Sequence, residues 1–217
     1  MNNKARTIVG FLLALVALAT GAMPLAGATS QKITFKGGYT KAVMKEGRES
    51  IILTQGAVVQ VGEIVFEAET IELSGKDSRY LTGTEKVRIV DSGRGLTIEA
   101  TSLTYDRELE LILIDGWVDI LDLENEVIAS GAYLSYDQAL GIMKLQIAAK
   151  LLHHTESGAM VCRADSISYD RANMTLALKG NSSIYWKGDV YEASSIIVDL
   201  ETEEIQMEGS IKGTVHG

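Results

Sequence analysis

Four aspartates recur at the ends of similar stretches: Asp106, Asp137, Asp170 and Asp199. Stacked in register, a row of carboxylates can hold calcium, or supply an acid and a base to a glycan-cleaving solenoid. Each also opens a short polar segment, as in Asp106-Arg-Glu, Asp137-Gln-Ala, Asp170-Arg-Ala and Asp199-Leu-Glu. An Asp carboxylate accepts backbone N–H groups two residues on and starts a turn with no ligand present. The glycine-rich nonapeptide of calcium β-rolls is absent, so we read the aspartates as turn initiators. His153-His154 is the other conspicuous pair. Adjacent strand residues point to opposite faces, and no Cys or His cluster accompanies them, so we expect a solvated loop and no metal. Cys162 is the single cysteine, which excludes an internal disulfide. It occupies the place of Phe66, Ile98 and Tyr191 in similar stretches, so a buried structural thiol is expected. No G-x-S-x-G elbow, phosphate loop or H-E-x-x-H occurs. None of these patterns marks a cofactor site, and the aspartates are the feature that could serve catalysis.

These residues are set out by a five-fold internal echo. Its aliphatic position recurs at Ile71, Leu103, Leu134, Ile167 and Ile196, in steps of 32, 31, 33 and 29 residues. Around it stand Phe66-Glu-Ala68, Ile98-Glu-Ala100, Gly131, Cys162-Arg-Ala164 and Tyr191-Glu-Ala193 on one side. On the other stand Leu73-Ser74, Tyr105-Asp106, Tyr136-Asp137, Tyr169-Asp170 and Val198-Asp199. Self-similarity at this period means one supersecondary unit stacked on its copies. Such an array makes a long surface or trough more readily than a compact catalytic pocket.

Period-two alternation predicts that the unit is strand, as in Met174-x-Leu176-x-Leu178 and Ile205-x-Met207. At 109–114 both phases are apolar. Each unit also carries a phase slip, for Ala100 lies in one phase and Leu103 in the other. A strand that keeps one face inward across an odd step needs a bulge or corner, and the small residue before the slip suits a tight bend. Gly116, Gly180 and Gly209 each follow an aspartate by ten residues, where the return strand bends. Short turns favour antiparallel up-and-down pairing. A parallel β-helix is the architectural rival. Segment 48–63 reads as two strands around Gln55-Gly56, residues 29–47 as an N-terminal edge or arm, and 213–217 as a frayed tail.

The first residues carry another signal. Lys4 and Arg6 precede an apolar stretch at 8–19, and Ala26-Gly27-Ala28 has the form of a peptidase site. We expect residues 1–28 to be a cleaved signal peptide, with a retained membrane anchor as competitor. Removing it moves the formal net charge from −9 to −11. No basic stripe remains to meet phosphates, which argues against a nucleic-acid partner. Export without disulfides suggests a bacterial envelope protein held by its core. Pro24, the only proline, lies in the leader, which suits a remainder that is nearly all strand.

The leader, the mature length of 189 residues, and the unit A-x-x-[IL]-x-Y-D with its glycine-ended return strand together resemble the LptA/OstA family. The resemblance covers roughly 48–215. It implies an all-β fold, a twisted, open β-jellyroll of stacked antiparallel strands shaped like a taco. It implies a non-enzymatic periplasmic bridge that moves lipopolysaccharide from the inner to the outer membrane. Lipid A acyl chains would lie in an apolar trough lined by Ile71, Leu73, Leu103, Tyr105, Leu111, Leu113, Val118, Ile120, Leu134, Tyr136, Leu145, Ile147, Ile167, Tyr169, Leu176, Leu178, Ile196 and Val198. Copies would join head to tail, and would join OstA-like domains of inner- and outer-membrane components. The joining edges would be 51–61 and 205–215. Tyr105, Tyr136 and Tyr169 are large enough to plug the trough as well as line it.

Three other functions fit the same residues. An inner-membrane-anchored sister of the family would keep its leader. A secreted glycan-active β-solenoid would use two of the aspartates. An assembling structural protein would bind no lipid.

Overall fold

In the computed structural model, residues 32–216 are described. The expected signal peptide lies outside them. The strands are β1 (Ile33–Lys36), β2 (Tyr39–Val43), β3 (Ser50–Val61), β4 (Ile64–Ser74), β5 (Tyr80–Asp91), β6 (Leu96–Asp106) and β7 (Leu111–Asp122). They continue as β8 (Val127–Asp137), β9 (Ile142–Thr155), β10 (Gly158–Asp170), β11 (Thr175–Trp186), β12 (Asp189–Asp199), β13 (Glu204–Glu208) and β14 (Lys212–Thr214). All join one open sheet in which β3 to β13 pair in chain order. Every pairing is antiparallel, which removes the parallel β-helix. The fold is the expected all-β open jellyroll.

Each long strand is bent in its middle, and the bends align into a crease. Strands β4, β6, β8, β10 and β12 make the expected odd step. Ala68 and Ile71 are both buried although three residues apart, as are Ala164 and Ile167. The return strands turn by a device that the glycines only partly announce. Two consecutive residues take left-handed φ: Gln55-Gly56, Glu85-Lys86, Ile147-Ala148 and Gly180-Asn181. The inward residues then resume four positions on, as in Leu145 to Ala149. The ladder registers shift at the same places.

The crease divides the sheet into two wings, and the hairpin turns form two rims. Turns at 62–63, 92–95, 123–126, 156–157 and 187–188 make the first rim. Turns at 75–79, 107–110, 138–141, 171–174 and 200–203 make the second. The wings close on each other. Phe66, beside the first rim, stacks on Tyr105, beside the second, with ring centroids 5.1 Å apart.

The aspartates do what turn chemistry requires. Asp106 accepts from the backbone N–H groups of Glu108 and Leu109, and Asp137 from that of Leu140. Asp170 accepts from Ala172 and Asn173, and Asp199 from Glu201 and Thr202.

Three expectations about the ends and the histidines are corrected. Segment 51–61 is not an edge, because β3 is paired with β4 on one side and with β1 and β2 on the other. The sheet ends instead on β1 and β2, broken at Gly37-Gly38, and on β13 and β14, broken at Gly209-Ser210. The tail is not frayed through 213–214, since Lys212–Thr214 pairs with β12. His153 and His154 lie in β9 rather than in a loop, the first buried and the second exposed.

Candidate functional site

The interior between the wings is built from cross-strand rows. On the first-rim wing one row runs Val59, Phe66, Ile89, Ile98, Ile120, Ala129, Leu151, Cys162 and Ile184. On the other wing, Leu73, Leu81, Tyr105, Ile112, Tyr136, Met143, Tyr169, Leu176 and Val198 form a second row. Deeper, Ile114, Leu134, Leu145, Ile167, Leu178 and Ile196 form a third. Neighbouring strands lie about 4.8 Å apart, so each row is a continuous apolar band along the molecule.

Most of the expected lining faces inward. Ile71, Leu73, Leu103, Tyr105, Val118, Ile120, Leu134, Tyr136, Leu145, Ile167, Tyr169, Leu176, Leu178, Ile196 and Val198 are all buried in this core. Three do not. Leu111 and Leu113 are half-buried, and Ile112 and Ile114 take the inward phase with no exposure. The run at 109–114 is apolar in both phases, so alternation alone could not choose between them. Ile147 is 65% exposed because it sits in the left-handed corner of β9. On the first-rim wing the expected lining included Val118 and Ile120 but not Phe66, Ile89, Ile98 and Leu151, which are buried beside them. The phase before each slip was the available signal.

The inner tyrosines fill this space. Tyr105, Tyr136 and Tyr169 are at most 3% exposed. Burial pushes the Tyr105 phenol up to about 12. The Cys162 thiol rises to about 12 for the same reason, so it stays protonated and inert.

Polar groups gather where the rims meet. Asp122, on the first rim, is fully buried, and burial alone would raise its pKa. Hydrogen bonds from Arg171 and Asn125 outweigh that and hold it below the ordinary value. Arg171, on the second rim, donates Nε to Asp122 Oδ2 at 2.6 Å and Nη2 to Oδ1 at 2.9 Å. Its Nη2 also donates to the Arg94 carbonyl at 3.0 Å, and Tyr169 donates its hydroxyl to Asp122 at 3.3 Å. Burial disfavours the Arg171 charge, yet Asp122 raises its pKa overall. Arg94 pairs with Asp91 at 2.8 Å and reaches the Gln138 carbonyl at 3.5 Å. Beside this bridge a cleft of about 340 Å³ opens between the rims, lined by Glu63, Asp91, Arg94, Tyr105, Glu110 and Gln138 among others. Among the described residues no group of His, Cys, Asp and Glu is arranged to hold a metal.

Residues 97–204 match the family described as LptA/(LptD N-terminal domain) LPS transport protein. The chain belongs to this family. The matched stretch of the LptA/LptD domain runs from β6 into β13 and holds Asp122, Tyr169 and Arg171. Among solved structures, LptH from Pseudomonas aeruginosa is 10% identical. It is described as the LptA-homologous periplasmic component of the lipopolysaccharide transport device. The alignment covers 87% of this chain and 97% of that one, with a TM-score of 0.25. No curated protein matches the chain. The family is one of lipopolysaccharide transport.

Proposed function

We propose that the chain is a non-enzymatic periplasmic carrier of lipopolysaccharide. The acyl chains of lipid A lie between the two wings, and copies join end to end. The observation that carries this reading is the continuous apolar interior of a sheet that closes only at its rims. Each buried methylene contributes about 0.8 kcal/mol, so an apolar band of this length suits long chains whatever the sign of the protein's surface. Its lining is Leu103, Leu134, Leu145, Ile167, Leu176 and Ile196 with their row neighbours, now including Ile112 and Ile114. Sugars and phosphates stay outside. The sheet ends on two exposed edges, β1/β2 and β13/β14, whose outer N–H and C=O groups can add a strand from another copy or from a similar domain at either membrane. The leader is cleaved, leaving the domain at 48–215 extended by its N-terminal edge.

Photo-crosslinking in intact cells tests this. A photoreactive residue at position 103, 134 or 176 should capture lipopolysaccharide, and one at the outward Glu192 should not. Absence of capture at all three inward positions in folded, exported protein would end the proposal.

A further inference from the structure

The interior described above is full: Leu134, Ile167, Leu176 and Leu178 have no exposed surface. Acyl chains therefore need the wings to part. Along each wing the strands are tied by backbone ladders, whereas among the described residues the hydrogen bonds across the mouth are donated by side chains. Arg171 makes most of those crossings. It reaches Asp122 with two bonds, Glu124 with a weaker one at 3.5 Å, and the Arg94 carbonyl. Its guanidinium is a planar fork engaged on a buried carboxylate, the geometry that also fits a phosphate oxyanion. The Tyr136 hydroxyl, fully buried and without a hydrogen bond, lies in the field of both Arg94 and Arg171.

We propose that Arg171 is a latch across the mouth of the trough and, once released, the receptor for a phosphomonoester on the head group of an acylated cargo. In the closed protein Asp122 stands in for that phosphate. A phosphomonoester carries a charge of about −1.5 to −2 at pH 7 and three acceptor oxygens, so it competes with a single carboxylate. Asp122 keeps its bonds from Asn125 and meets water as the rims separate. The remaining carboxylates at the mouth, Asp91, Glu63, Glu110 and Glu124, repel a free anion. Only a phosphate anchored by chains that gain the interior is retained. The inference rests on the carrier reading and assigns the mouth of that same trough.

The test uses the full chain with spin labels at Leu123 on the first rim and Ala172 on the second, together with equilibrium binding. Probes are diphosphoryl lipid A, dephosphorylated lipid A and inorganic phosphate. Wild type should bind the phosphorylated lipid about tenfold or more tightly than the dephosphorylated one, and only the lipids should lengthen the label distance. Asp122→Asn should tighten both lipids and keep the preference. Arg171→Gln should tighten the dephosphorylated lipid and bring the preference to about one. If a single variant does not fold, the neutral double variant Asp122→Asn/Arg171→Gln should bind the two lipids alike. Equal binding of both lipids by wild type, or a preference that survives Arg171→Gln, overturns the latch and leaves the carrier standing. Opening by inorganic phosphate alone overturns the assignment to an anchored head group. Failure of every form to bind either lipid overturns the carrier as well.

Discussion

At the scale of single residues, the tyrosines and the buried ion pair separate polar groups that stabilise from those that merely occupy space. Tyr136 and Tyr169 are near neighbours in one cross-strand row. Only Tyr169 donates to a carboxylate, whereas the Tyr136 hydroxyl is buried without a hydrogen bond. Tyr169→Phe should cost about 1 kcal/mol, and Tyr136→Phe should be neutral or slightly stabilising, as denaturant midpoints would show. The Asp122 carboxyl is held below its ordinary value in the folded chain, so its contribution is complete above about pH 4–5. It is lost as the pH falls through the lower folded value. Acid melts should show a smaller stability loss below pH 4 for Asp122→Asn than for wild type. His153 follows the same sign for a different reason. Burial lowers its pKa, so the unfolded chain takes up a proton first, as pH drops through about 6.5. Stability should decline gently below that pH, and His153→Phe should remove the decline.

At the scale of elements, the return strands carry both the errors of the sequence reading and its most useful tests. Ile147 is a β-branched residue at φ 61°, where L side chains crowd the backbone. It is also exposed, so little packing is lost on replacing it. Ile147→Gly should raise stability by about 1 kcal/mol in thermal melts. The corrected phase of β7 makes a matched pair. Ile112→Asp buries a charge and should cost more than about 3 kcal/mol or prevent folding, while Leu111→Asp should cost about 1 kcal/mol. Equal costs would mean that β7 keeps the other register. The forward strands were legible because each odd step is preceded by Ala or Gly and followed by an aliphatic residue. The return strands were not, since Glu85-Lys86 and Ile147-Ala148 adopt left-handed conformations that only Gly or Asn announces.

At the scale of the whole molecule, closure and assembly are opposed features of one sheet. Its long rims are bridged by side chains, and its two short ends are left unpaired. Long exposed edges are blunted by charge, so Phe35→Lys with Tyr39→Lys on the N-terminal edge should weaken self-association about tenfold or more without lowering the melting temperature. Mass photometry across a concentration series would read this out, and unchanged oligomers would place the junction elsewhere.

Some of this was settled by the chain alone. The period near 32 residues, the strand alternation, the slip after Ala100 and Ala164, and the turn-starting aspartates are local patterns. Each is read along the chain and needs no spatial partner. The inward placement of Leu134, Ile167, Leu176 and Ile196 follows from them. Other features were decided only by the tertiary structure. Which face of 109–114 points inward depends on the registry of β7 with β6 and β8. That Arg171 meets Asp122, 49 positions earlier, depends on two creased wings bringing opposite rims together. Neither residue carries a local sign of the other, because a contact across a folded sheet is set by the sum of all the bends between them.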